Sequence, residues 1–191
     1  MTKLLKQWRI GAALALLVGL AACGGYTKVN LGGSVSGLVT SGLVLINGTD
    51  TVTVPANATS YVFPAQIDDH GKFAVAIQSQ PARYTCFVSG GTGLATGIPI
   101  TSANVICNVN TFTVGGTITG LSSSGLTLVN GSDNLTIDAA ATSFTFANNV
   151  ADGSVYGVTV LTQPTGQICT VSNGTATMTG AGVDNISVSC Q

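Results

Sequence analysis

The side chains able to do chemistry are few and far apart in this chain. Its one histidine, His70, sits in the run Asp68-Asp69-His70-Gly71, and five cysteines stand at positions 23, 86, 107, 169 and 190. A histidine beside two carboxylates offers donors for a divalent metal or an acid–base pair. The same four residues also suit a polar turn, and the turn is the expected reading. The acidic set is seven Asp with no Glu. A Ser-His-acid arrangement could therefore run only through His70, and no G-x-S-x-G elbow accompanies it. Gly90-Gly91-Thr92-Gly93 lacks the Lys-Ser/Thr that completes a phosphate loop and reads as a hairpin loop. This inventory points away from an enzyme: no catalytic residue, metal or cofactor is expected.

What positions these residues is legible as repetition. GGSVSGLVTSGLVLINGTD, residues 32–50, recurs as GGTITGLSSSGLTLVNGSD, residues 115–133. The offset of 83 persists without a gap, and about two positions in five are identical between 32–107 and 115–190. Cys86 then matches Cys169, and Cys107 matches Cys190. Four cysteines allow three pairings, but only Cys86–Cys107 with Cys169–Cys190 lets each copy keep its own bridge after duplication. The spacing contains no CxxC, which argues against a metal cluster. Closing each loop should stabilise its unit by about 3 kcal/mol, which matters for a unit of this size with a modest core.

Each copy reads as β-structure. SVSGL, LVLIN, VTV, SYVF, FAVAI, TCFV and ANVIC are short, rich in β-branched residues and often alternating, and their counterparts repeat the pattern. Asn47-Gly48, Asn130-Gly131 and Asn173-Gly174 are tight-turn signals. About seven strands per copy predict an all-β chain of two tandem disulfide-containing β-sandwiches, over 29–108 and 109–191. Tyr61 with Phe63, Phe144 with Phe146, Val75 with Ile77 and Val158 with Val160 should face inward. The connection is short, so limited bending between the sandwiches is expected.

The N-terminus has the layout of an export signal. Lys3, Lys6 and Arg9 precede an apolar run from Ile10 to Leu20, and small residues follow. Leu20-Ala21-Ala22-Cys23 resembles the bacterial lipobox. The resemblance implies cleavage after residue 22, lipid on Cys23, a tether over 23–28 and attachment to a membrane. Gly24 in place of Asp favours the outer membrane of a Gram-negative cell. Cys23 is thereby excused from pairing. Without 1–22 the chain keeps Lys28, Lys72 and Arg83 against its seven Asp, so nothing basic remains to neutralise phosphates and no nucleic-acid partner is expected.

The stretches SGLVLING through DDHGKFAVAI and VLTQPTGQICTVSNG resemble immunoglobulin-like or prealbumin-like modules of bacterial surface proteins and lipoproteins. That resemblance implies strands and turns but no active site. The expectation is a non-enzymatic envelope lipoprotein whose modules act as a spacer or meet an envelope or extracellular protein. The alternative is a glycan- or peptide-binding module using the 89–99 loop and Tyr84, which aligns with Gln167 and reads as surface.

Overall fold

The computed structural model describes residues 27–191; Cys23 and the signal expected over 1–22 lie outside them. The first unit contains β1 (Lys28–Val29), β2 (Gly32–Ser36), β3 (Leu43–Asn47), β4 (Asp50–Val54), β5 (Ser60–Val62), β6 (Ile67–Asp68), β7 (Lys72–Ser79), β8 (Tyr84–Ser89), β9 (Thr92–Leu94) and β10 (Asn104–Val109). The second repeats it with β11 (Thr111–Phe112), β12 (Val114–Thr119), β13 (Thr127–Asn130), β14 (Asp133–Thr136), β15 (Ser143–Thr145), β16 (Val150–Ala151), β17 (Val155–Thr162), β18 (Cys169–Ser172), β19 (Thr175–Thr177) and β20 (Val183–Cys190).

Each unit folds as two four-stranded sheets and a two-stranded ribbon. In the first unit the sheets run β5-β2-β10-β8 and β4-β3-β7-β9, with β1 paired to β6. In the second they run β15-β12-β20-β18 and β14-β13-β17-β19, with β11 paired to β16. No described strand of one unit pairs with a strand of the other. The first long strand of each unit lies parallel to the last, β2 beside β10 and β12 beside β20, while the other pairings are antiparallel. The chain is thus all-β and built as two sandwiches, each with its own bridge.

Alternation explains which faces meet. In β3 the leucines Leu43 and Leu45 are fully buried, while Val44 and Ile46 are only half covered. Leu45, Val54, Phe73, Val75 and Val105 share the first core with Tyr61 and Phe63. Leu128, Phe144, Phe146, Val158 and Ile186 share the second. Ile77 and Val160 pack against the edges of these cores. A one-residue bulge interrupts the β3–β7 pairing at Val44/Leu45, and the same bulge recurs in β13–β17 at Thr127/Leu128. No charged residue is buried among those described, as expected where no partner would offset desolvation.

The loops depart from expectation in two places. The turn expected at Asn47-Gly48 sits one residue later. Asn47 pairs with Asp50 as the end of β3, and Gly48 and Thr49 make the connection, with Gly48 at φ 62°. The Asn47 side-chain oxygen accepts from the Ala74 amide at 2.8 Å, and Asn130 does the same for Gly157. Asparagine is therefore needed there to fasten β7 or β17, not to adopt positive φ. Gly90–Gly93 is also not a simple hairpin loop. Its second half is edge strand β9, which pairs with β7 through Ala74↔Thr92 and Phe73↔Gly93.

Each core buries one tyrosine where the other has phenylalanine, Tyr61 against Phe144 and Tyr156 against Phe73. The Tyr61 hydroxyl donates to the Ala103 carbonyl at 2.6 Å, and burial pushes its pKa up to about 12. Phe144 stands at the aligned position. A hydroxyl whose folded pKa exceeds its unfolded value stabilises fully below the unfolded value and loses that contribution as pH rises through the folded one. Between the ordinary tyrosine value of 10.0 and about 12, the first unit should lose on the order of 2 kcal/mol. Denaturant unfolding across that range should show the loss, and Tyr61→Phe should flatten it. An unchanged slope in the variant would refute the assignment.

Candidate functional site

The bridges lie across directly paired strands. Cys86 faces Cys107 between β8 and β10, and Cys169 faces Cys190 between β18 and β20, each with a Cα separation of 3.9 Å. All four half-cystines are buried. A glutamine clasps each bridge. Gln80 Oε1 accepts from the Cys86 amide at 2.8 Å while its Nε2 donates to the Cys86 carbonyl at 2.9 Å. Gln163 holds Cys169 in the same way at 2.7 and 3.0 Å. The side-chain amide thus imitates a neighbouring strand at the free edge of β8. Gln80-Pro81 recurs in the sequence as Gln163-Pro164, but a side-chain clasp on a residue six positions away has no local pattern that would reveal the role. Gln80→Ala leaves two backbone groups without partners and should cost about 1–3 kcal/mol. Thermal unfolding of the variant tests this, and no change in midpoint would contradict it.

The Asp68-Asp69-His70 run does not converge on one point. Asp68 pairs with Lys28 at 2.8 Å, and both side chains are more than half exposed; such a pair contributes about 0–1 kcal/mol. Asp69 Oδ2 lies 3.1 Å from His70 Nδ1, while Asp69 Oδ1 accepts from the His70 backbone amide at 2.9 Å. The His70 side chain is 85% exposed. Its backbone has φ 62°, and the aligned Gly153 has φ 84°. Both residues donate their amide to an aligned carbonyl, His70 to Ala95 and Gly153 to Met178, at 3.0 Å. This position is a left-handed turn that histidine fills in one copy and glycine in the other. No group of three or more His, Cys, Asp or Glu gathers to hold a metal among the described residues.

The turn gains meaning from what meets it in the second unit. Asn110 is the one residue between β10 and β11. Its amide donates to the Arg83 carbonyl at 2.9 Å, and its carbonyl accepts from the Asp152 amide at 2.8 Å. Its side-chain oxygen accepts from Thr85 Oγ1 at 2.7 Å. Arg83 lays its guanidinium against Gly153, where any Cβ would collide with Nη1. One residue is therefore bonded to both sandwiches, and one arginine fills the space a glycine leaves. Arg83 itself has φ 67°, with Gly166 at φ 71° in the second copy. Arg83→Gly should leave the first unit's thermal stability within about 1 kcal/mol while widening the range of inter-unit angles. Residual dipolar couplings of the two units would register that widening, and identical alignment tensors would count against the joint.

Among the described residues the tyrosines give no exposed platform. Tyr61 and Tyr156 are buried, as expected. Tyr84 is half-buried against the first core, not on the open surface, because it starts edge strand β8 beside the Gln80 clasp. Ile98 and Pro99 of the 89–99 loop help line a shallow cleft of about 270 Å³. A cleft recurs over the paired glycines of each unit. It holds about 380 Å³ over Gly32 and Gly33 and about 350 Å³ over Gly115 and Gly116. Among the described residues no helix is long and apolar enough to cross a membrane. No protein-family model matches the chain, and no curated protein matches it.

Proposed function

We propose that this chain is a non-enzymatic lipoprotein of the bacterial envelope, anchored through lipid on Cys23, whose two sandwiches act as a spacer or protein-interaction module. The observation that carries the reading is the joint at Asn110. A linker of one residue, hydrogen-bonded on both sides, sets the distance and direction between two modules, which is what a spacer must do. The basic, apolar, small-residue order ending in Leu20-Ala21-Ala22-Cys23 supports the anchor, and Gly24 after the cysteine favours the outer membrane. A single acyl chain holds weakly, and two or more hold firmly; the short tether over 23–28, at most ~20 Å when extended, keeps the body close to the bilayer. The bridges suit an oxidising compartment. The partner in this reading is an envelope or extracellular protein, met by loops or strand edges.

Cys23→Ser with metabolic palmitate labelling tests the anchor. The wild-type chain should take up label and sediment with membranes, and the variant should do neither. Labelling that survives the substitution would remove the lipid claim. Crosslinking on whole cells, with loss of the product when the joint is lengthened by a flexible insert, tests the spacer role.

A further inference from the structure

The chain has three Asn-Gly pairs, and the fold places them in two different states. Asn47 and Asn130 end central strands β3 and β13, half-buried, with their side-chain oxygens bound at 2.8 Å to the amides of Ala74 and Gly157. Asn173 is exposed, stands just past the end of β18, and has φ 57°. Its only side-chain hydrogen bond is a long one, from Nδ2 to the Asn185 carbonyl at 3.3 Å. The aligned residue in the first unit is Gly90, with φ 68°. Position 173 thus requires left-handed backbone, and asparagine is among the few other residues that tolerate it.

We propose that Asn173-Gly174 is a site of spontaneous backbone modification by deamidation, and that the fold protects the other two pairs. The Gly174 nitrogen gives up its proton and attacks the side-chain carbonyl carbon of Asn173. The N–Cγ bond forms, the Cγ–Nδ2 bond breaks, and nitrogen leaves as ammonia with a proton. Water then opens the cyclic imide. Opening at Cγ gives aspartate, and opening at the backbone carbonyl gives isoaspartate, whose main chain runs through the side-chain carbon. Water is the only co-reactant, and there is no change of oxidation state. At Asn47 and Asn130 the attack first requires breaking the bond to β7 or β17 and pulling the residue out of a ladder paired on both sides.

The product falls where it matters mechanically. Residues 173–174 cross from β18 in one sheet to β19 in the other. A Cβ on Gly174 would meet the Val158 carbonyl oxygen, so this crossing has no slack for the extra methylene of isoaspartate. Conversion therefore adds a negative charge and unseats edge strand β19 from β17.

Peptide mass spectrometry of the purified, oxidised protein held in warm, mildly alkaline buffer tests the proposal. Deamidation and isoaspartate at Asn173 should accumulate about tenfold or more faster than at Asn47 and Asn130. In reduced, denatured chain the three sites should agree within about threefold, because the protection is lost with the structure. Asn173→Gly copies the first unit's residue and should remove the signal while both sandwiches stay folded. Equal conversion at Asn47 or Asn130 in the folded protein would overturn the proposal, as would a gap that persists after denaturation.

Discussion

Cys86→Ser should cost the first sandwich about 3 kcal/mol and leave the second where it is. The bridge joins residues 21 apart, and its loss returns that loop's freedom to the unfolded chain. It also puts a hydroxyl in a buried place and frees the Cys107 thiol beside it. A unit of this size holds roughly 0.05–0.15 kcal/mol per residue, so the loss is a large part of its stability. Residue-resolved hydrogen exchange separates the units. Amides of Leu45 and Val105 should exchange about 100-fold faster, while those of Leu128 and Val188 keep their rates. A common acceleration in both units would mean that the copies unfold together.

Gly37→Ala and Gly120→Ala should each cost about 3 kcal/mol or more. Both glycines have φ 75°. A Cβ on Gly37 would fall on the carbonyl oxygen of Cys107, and one on Gly120 on that of Cys190. Those oxygens belong to the half-cystines of β10 and β20, so the backbone cannot step aside without shifting the bridged pair. Gly48→Ala is the control. It has φ 62° with nothing within 4 Å of a new Cβ, so it should lose only about 1–2 kcal/mol of left-handed strain. Urea titrations of the three variants decide the matter, and equal losses would show that the carbonyl contact carries no energy.

What the sequence made legible was mostly what duplication writes twice. The 83-residue offset predicts both bridges, and the structure forms them between paired strands. Alternation places Tyr61 with Phe63 and Phe144 with Phe146 inward, and in the structure both pairs are buried and meet edge to face with centroids 5.8 and 5.9 Å apart. Strands with strong alternation, such as β3 and β7, were readable because Leu43 and Leu45, and Phe73 and Val75, turn every second side chain into the core. Edge strands β9 and β19 were not, because Thr-Gly-Leu and Thr-Ala-Thr are fully exposed and leave no apolar mark. The parallel union of first and last strands has no local signature at all. The ribbons β1–β6 and β11–β16 are two residues wide and fall below any periodicity.

At the candidate site the composition of Asp68-Asp69-His70 was visible, but its geometry was not. Only the φ of His70 and of Gly153 together show a turn that tolerates either residue. The joint was anticipated as short from Cys107 and Gly115, yet nothing marked Asn110. Its hydrogen bonds reach to Arg83, Thr85 and Asp152, and the sequence carries no pattern for such contacts.

Each of the two copies closes on itself through its own bridge. Proteolysis of the purified protein without reductant, followed by mass spectrometry of the linked peptides, examines that directly. It should yield Cys86 joined to Cys107 and Cys169 joined to Cys190. A peptide joining Cys86 to Cys169, or Cys107 to Cys190, would contradict it.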